Sequence, residues 1–216
     1  MGNLRLYAIA IAELRGVFGS RPEDVARYRE QAHALLAPPV TAASRPRRFG
    51  PIFRRTPAAP VRSPTDPVPA DLDVLLAGGY VAPERTGATW RLLETLVAAN
   101  SWGCTQTQFA PAALDDLDFA LTSAGVSSTF GLRHLLNSAT EVNLLPVHGL
   151  TVGWRPHHVA VSMAATYRTA MGELKTDDQR EHVAALVGWL DGFVHWGGVA
   201  QQLGRQAPDL VGFWVD

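Results

Sequence analysis

Hydrophobic and polar positions alternate at the start of the chain and then change to a helical spacing. Residues Leu4 to Ile11 alternate with a period of two, and both sets of side chains are largely apolar. A strand that is apolar on both sides is typical of an inner strand with both faces covered. The segment from Ser20 to about Leu36 has apolar residues at helical spacing and is followed by two prolines, which predicts a helix. The spacing of Ser20 and Glu23 predicts a capping box at its start.

Helical periodicity dominates the chain after residue 70. The pattern predicts helices over residues 72–76, 89–100, 111–124, 130–136, 156–174 and from 176 onward. The helix over 111–124 is expected to bury Leu114, Leu117, Phe119 and Leu121. Thr176 and Gln179 have the spacing of a second capping box. The helix that follows has the clearest apolar face, formed by Val183, Leu186, Val187, Leu190, Phe193 and Val194.

Three later segments are candidates for strands, at residues 142–147, 150–154 and 210–215. The last of them is apolar and aromatic, which predicts a closing strand that pairs within the sheet. Helices and short strands do not alternate regularly along the chain, so a doubly wound fold is not favoured. The sequence therefore predicts an α+β fold in which a small mixed sheet of short strands packs against five or six helices.

Residues 38–70 differ in composition from the rest of the chain. They contain nine prolines and six arginines, and Asp66 is their only acidic residue. Proline at this density excludes a long helix or a central strand. The strand and helix that precede this segment are too small to form a core by themselves. We therefore predict a single α+β domain over residues 1–216, with 38–70 as an irregular basic insert.

Composition and charge point to the compartment of the protein. The chain is 47% hydrophobic with a formal net charge of −1, and Cys104 is its only cysteine, so no internal disulfide can form. This cysteine usage favours the cytoplasm. The apolar run at the N-terminus is closed by Glu13 and Arg15 before any cleavage pattern, and no run reaches the roughly 20 apolar residues that span a membrane. Arginine almost replaces lysine, which occurs only at Lys175, as is typical of high-GC bacteria such as actinobacteria.

Three features of the chain resemble the YfbM-like and related domain-of-unknown-function proteins of actinobacteria. These features are the strand at residues 6–11, the proline-bearing turn and helix start at 150–159, and the Gly188-Trp189-Leu190 helix with the terminal segment 209–214. The insert at 38–70 departs from the pattern of that group. The resemblance implies a fold, and it supplies neither an activity nor catalytic residues.

A few side chains are candidates for chemistry. His157 and His158 follow Trp154 at the start of a helix, where they are suited to binding an anion or acting as a general base. The alternative is that they are exposed residues of the first turn. Adjacent histidines point about 100° apart on a helix and no acid completes a ligand set, so the sequence predicts no metal site and no cofactor. Cys104 is a candidate nucleophile only if a histidine lies beside it, and it is otherwise a small filler.

Two regions are candidates for partner contacts. His182, Trp189 and Trp196 recur every seven residues on the last helices, either as a contact face or as the rim of the core. Six arginines lie between residues 45 and 62, and the candidate contacts there are Arg47, Arg48, Phe49, Phe53, Arg54 and Arg55. Arginine suits phosphate and carboxylate groups. Because the rest of the chain is acidic on balance, these arginines can also pair within the chain or remain solvated.

The preferred interpretation is a non-catalytic binding or protein-interaction module of the accessory or immunity type. It contacts another protein through the basic insert and through the aromatic and histidine face. One alternative is a small hydrolase or transferase that uses His157, His158 or Cys104 in a cleft. Another alternative is a weak nucleic-acid binder through residues 45–62, although the near-neutral charge and the lack of a known motif argue against it.

Overall fold

A sheet of four antiparallel strands lies at the centre of the fold. The computed structural model describes residues 1–37, 63, 65–110 and 112–216, so the candidate contacts between Arg47 and Arg55 lie outside the described residues. The strands follow the order β2–β1–β4–β3. Their bounds are β1 (Gly2–Ile9), β2 (Cys104–Phe109), β3 (Leu150–Arg155) and β4 (Asp209–Val215). The predictions of an inner first strand and of a closing strand paired within the sheet are confirmed.

Helices cover both sides of this sheet. Those between β1 and β2 are α1 (Ile11–Val17), α2 (Pro22–Leu36), α3 (Pro69–Ala77) and α4 (Thr86–Asn100). Those after β2 are α5 (Ala113–Ser123), α6 (Leu132–Leu136), α7 (His157–Ala170), α8 (Asp177–Leu190) and α9 (Gly192–Gln202). The α+β class is confirmed, with more helices than the five or six expected. The prediction of a mixed sheet is wrong, because every strand pair is antiparallel.

The two faces of the sheet contact two separate hydrophobic cores. Leu4 and Leu6 of β1 pack with side chains of α5 to α9, whereas Tyr7 and Ile9 pack with side chains of α1 to α4. The side chains of β4 alternate between the two cores in the same way, and Phe213 lies on the α1–α4 side. Side chains of a strand alternate between the two faces. The alternation of apolar residues at the start of the sequence therefore reflects a strand between two helical layers.

Several local predictions are wrong for identifiable reasons. Helix α2 begins at Pro22 without a side-chain cap, because Arg21 rather than Ser20 occupies the N-cap position, and the Ser20 hydroxyl donates to the Val17 carbonyl (2.6 Å). Phe119 has helical spacing but is 76% exposed, and Val194 is 65% exposed. Asp191 interrupts the last predicted helix, which separates α8 from α9.

Two strand predictions also differ from the structure. Residues 142–147 form a loop, in which only Val147 makes an isolated bridge, to Leu150. Strand β2 was not predicted, because its sequence Cys-Thr-Gln-Thr-Gln-Phe has almost no apolar alternation to mark it. Its Thr residues favour a strand, but only the pairing with β1 makes this clear. The second capping box, between Thr176 and Gln179, is confirmed.

Helices α8 and α9 together form the one stretch among the described residues that has the length and composition of a membrane span, Asp177–Gln202. One such stretch is weak evidence for a membrane, because the core helix of a soluble protein has the same properties. Val183, Leu190 and Phe193 of this stretch lie in the core on the α5–α9 side of the sheet. We therefore interpret it as a core element.

A close backbone contact fixes β3 against α6. A Cβ atom added to Gly153 would lie 2.0 Å from the carbonyl oxygen of Leu135, so only glycine fits this position. We predict that Gly153→Ala lowers the free energy of unfolding by about 3 kcal/mol or more, because backbone cannot move aside as a side chain can. Urea denaturation measures this loss.

Gly188→Ala is the matched control for this prediction. Nothing lies within 4 Å of a Cβ added to Gly188 on helix α8. This substitution should leave stability unchanged or raise it by up to about 1 kcal/mol, since alanine favours a helix over glycine. Equal stability of the Gly153→Ala and wild-type proteins would contradict the contact.

Candidate functional site

A buried carboxylate connects two helices at the end of the sheet where β4 begins. Asp209, which is only 6% exposed, accepts the backbone N–H of Ile11 at 2.9 Å and that of His157 at 3.0 Å. These are the first residues of α1 and α7. The N-terminal N–H groups of a helix lack intrahelical partners and carry partial positive charge. Asp209 therefore stabilises two helix starts at once, one from each helical layer.

His157 is held in place by packing and by a backbone hydrogen bond. Its Nδ1 lies 2.9 Å from the carbonyl oxygen of Pro208, and its ring centroid lies 6.0 Å from that of Phe193. A Cβ added to Gly197 would lie 2.7 Å from the ring, so α9 passes directly against it. His158 is exposed at the next position. These contacts fit a structural role for His157 in joining α7, α9 and β4.

The sheet separates Cys104 from the candidate residues near β3. Cys104 pairs with Tyr7, Tyr7 with Val211, and Val211 with Trp154, so Cys104 and Trp154 occupy opposite edges of the sheet. Three strand spacings correspond to about 14 Å. The Trp154 indole N–H donates to the carbonyl of Ala139 (2.9 Å), which fixes it at the β3 edge. Cys104 and Trp154 therefore do not lie in one cleft.

The predicted aromatic stripe forms a packed cluster. Trp189, Phe193 and Trp196 contact one another edge to face, with ring centroids between 5.3 and 5.8 Å apart. Both tryptophans are partly buried against the core on the α5–α9 side. His182 lies apart from them and stacks on Phe109 with centroids 5.2 Å apart. These three predicted contact residues therefore lie at the rim of the core.

A groove beside α1 and α2 was not predicted from the sequence. It has a volume of about 790 Å³ and is lined by α1, α2, the end of α4, Trp102 and Arg205. Arg205 donates to Glu13 at 2.7 Å and lies 4.7 Å above the Trp102 ring. We call it the α1–α2 groove. No local motif marks it, because its lining comes from three segments that lie far apart in the sequence.

The α1–α2 groove combines charged groups with aromatic walls. Arg27 donates to Asp24 at 2.6 Å and lies 4.9 Å above the Tyr28 ring, so it repeats the arrangement of Arg205. Arg21 also lines the groove and is exposed. Burial, as the largest cause, raises the pKa of the Tyr28 phenol. The lining of the groove, as far as the structure describes it, therefore combines arginine and carboxylate groups with the rings of Tyr28 and Trp102.

Metal chemistry finds no support in the part of the chain that the structure describes. No group of three or more His, Cys, Asp or Glu side chains is placed there to hold a metal ion. Asp115 and Asp118 instead accept hydrogen bonds from Arg133. The guanidinium group of Arg133 donates to Asp115 (2.5 Å), and its backbone N–H donates to Asp118 (2.7 Å). These acids serve to position α6 against α5.

The double cap at Asp209 gives a testable prediction. Asp209→Ala should lower the free energy of unfolding by about 2–4 kcal/mol, because it leaves two N–H groups at helix starts without their acceptor. Asp209→Asn keeps one acceptor oxygen and should cost less. Thermal or urea unfolding of both variants measures the difference. A loss below about 1 kcal/mol for Asp209→Ala would contradict the role of this carboxylate.

Comparisons with known proteins place the chain in a family. Neither the comparison with curated proteins nor that with solved structures found a match. One family model, described as "Domain of unknown function (DUF7691)", matches residues 1–215. This match does not bear on the resemblance to YfbM-like proteins, which stays a prediction. Because the match spans both helical layers and all four strands of the sheet, the chain belongs to the DUF7691 family.

Proposed function

We propose that this domain is a non-catalytic protein-interaction module, of the accessory or immunity type, which docks a partner protein through helix α9. The observation that supports this proposal is the composition of α9, whose sequence Gly-Phe-Val-His-Trp-Gly-Gly-Val-Ala-Gln-Gln contains no Asp, Glu, Lys or Arg. Only Phe193 and Ala200 are buried. A surface helix normally carries charged residues on the side that faces water.

The exposed residues of α9 form one continuous face. They are Val194, His195, Gly198, Gln201 and Gln202, which recur at helical spacing and which we call the α9 face. Leu203, 63% exposed, extends the apolar surface beyond the end of the helix. The core of a protein–protein interface is depleted in charged residues. The α9 face has this composition, and Trp196 of the same helix packs against Trp189 of α8 with ring centroids 5.8 Å apart.

The basic insert is the second part of the proposed interaction surface. Its contact residues lie outside the described residues, so the proposal for them rests on sequence: six arginines with Phe49 and Phe53 among them. Such a segment suits an acidic protein surface. We keep a protein as the partner, with nucleic acid less favoured because the whole chain is near neutral. The cytoplasm and an actinobacterial origin also remain our predictions.

A hydrolase or transferase is less favoured than an interaction module. Catalysis by Cys104 needs a histidine in contact with it, and the described contacts of His157 do not include Cys104. The His157 ring is engaged by Pro208 and packed against α9. These positions support a module without a catalytic set built from the predicted residues.

The α9 face gives a prediction that separates binding from folding. Val194→Asp should leave the thermal unfolding midpoint within a few degrees of wild type, because residue 194 is 65% exposed, yet it should abolish recovery of the partner. Affinity purification from the native host, with identification by mass spectrometry, measures recovery. Ala185→Asp on the exposed side of α8 is the matched control and should retain the partner. Equal recovery with both variants would exclude the α9 face.

The insert is tested by removing its charge. Replacing Arg47, Arg48, Arg54 and Arg55 with serine should weaken partner recovery and reduce the effect of salt on the recovery that remains, because salt screens the charge attraction that these arginines supply. The same protein should show no salt-sensitive retention on a DNA column before or after the change. Unchanged partner recovery would remove the insert from the interaction. Strong retention of wild type on DNA would favour the nucleic-acid alternative.

A further inference from the structure

Strand β2 stands at one end of the strand order, and no described residue pairs with its outer edge. Among the described elements, β1 is its only extensive packing partner. At the opposite edge of the sheet, the Trp154 indole and the Arg155 guanidinium of β3 donate to the carbonyls of Ala139 and His134, so the segment that contains these two carbonyls lies beside that edge. An open edge presents unpaired N–H and C=O groups that can pair with another strand. Open edges in natural proteins usually carry features that prevent this pairing.

The usual protective features are missing from β2. Its sequence, Cys-Thr-Gln-Thr-Gln-Phe, contains no charged residue and no proline, although lysine, proline and inward-pointing charges are the common means of blocking an edge. Thr105 and Thr107 favour extended backbone. The side chains of Cys104, Gln106 and Gln108 are exposed. Strand β2 therefore has the composition of a strand that pairs rather than one that is protected.

The pairing with β1 shows which backbone groups are free. Ala8 donates its N–H to the carbonyl of Gly103, and Gly103 lies next to the pair Tyr7–Cys104. In an antiparallel pair, alternate residues point their N–H and C=O groups toward the partner strand. Residues 103, 105, 107 and 109 therefore bond to β1. The backbone N–H and C=O groups of Cys104, Gln106 and Gln108 lie in the plane of the sheet and point away from β1.

The geometry points to a second copy of this chain as the partner of β2, with the two strands antiparallel and the two-fold axis at Gln106. In this register Gln106 faces its own copy, and Cys104 faces Gln108 of the other chain. The three outward residues of each strand, with one N–H and one C=O apiece, then form six hydrogen bonds between the chains. Shifting the axis to Thr105 or Thr107 leaves one of the outward residues of each chain unpaired.

Charge also favours a second copy. All six residues of β2 are uncharged, so no like charges meet across the two-fold axis. Arg5, the neighbour of Gln106 in β1, is neutralised by Glu94 at 2.7 Å. The glutamine side chain both donates and accepts hydrogen bonds, so two copies of Gln106 complement each other. The resulting dimer has one continuous sheet of eight strands.

Cysteine cross-linking tests the register. In a Cys104→Ser background, Gln106→Cys places two sulfurs across an axis where the Cα atoms are about 5.5 Å apart, within the range of a disulfide. Gln108→Cys is the matched control, because it is equally exposed on the same face but lies about 14 Å from its copy. We expect a covalent dimer on mild oxidation for Gln106→Cys only. Equal cross-linking of both variants, or of neither, would overturn the register.

A proline variant tests the dimer itself. Gln106→Pro removes an N–H that points away from β1, which an edge strand tolerates, whereas Gln106→Ala keeps this N–H. By sedimentation over a wide range of concentrations, we expect wild type and Gln106→Ala to dimerise and Gln106→Pro to remain monomeric with a native circular dichroism spectrum. A wild type that is monomeric throughout would overturn the proposal. Val194→Asp should still dimerise, which separates this edge from the α9 face.

Discussion

The pairing of the first and last strands is the interaction on which this fold depends. Strand β1 lies against β4 along its length, from Asn3 opposite Val215 to Ile9 opposite Asp209. The two strands form the middle of the sheet, and each contributes side chains to both hydrophobic cores. Neither helical layer has a surface to pack on without this pair. The helices and the outer strands are therefore arranged around contacts between residues about two hundred positions apart.

Asp209, the first residue of β4, connects this strand pair to the helices. Its carboxylate meets the starts of α1 and α7, which belong to opposite layers. On one side of the sheet, Glu94 of α4 also accepts hydrogen bonds from Arg5 and Tyr7 of β1. Polar contacts of this kind at buried positions fix orientation, because misplacement leaves a donor or acceptor unpaired. At the end of the sheet near Asp209, one carboxylate therefore fixes the starts of two helices.

The sequence predicts those parts of the fold where local pattern and burial agree. Strands β1 and β4 and the apolar faces of α4 and α8 are examples, since their side chains repeat with the period of the element they form. Phe119 shows the limit, because helical spacing alone cannot tell which residues of an apolar-rich helix face water. Strand β2 was missed because a polar edge strand is defined by its neighbour rather than by its own pattern.

In the candidate sites too, local spacing was predictable from the sequence, whereas contacts between distant segments were not. Trp189 and Trp196 were placed on one helical face from their spacing, and they do lie together. The α1–α2 groove was not visible, because Glu13 and Arg205 approach each other only when the chain folds. The packing of His157 was not visible for the same reason, because Pro208 and Gly197, which contact its ring, lie far from it in the sequence.

The central position of β4 has a consequence for how the protein is made. Synthesis proceeds from the N-terminus, so β4 is the last strand of the sheet to emerge from the ribosome. Until then β1 lacks its inner neighbour, β3 has no strand to pair with, and both cores are open on the side where Phe213 and Trp214 belong. Nascent chains expose apolar surface in such a state and rely on chaperones. The sheet of this domain therefore cannot be complete before its final aromatic residues, Phe213 and Trp214, have been synthesised.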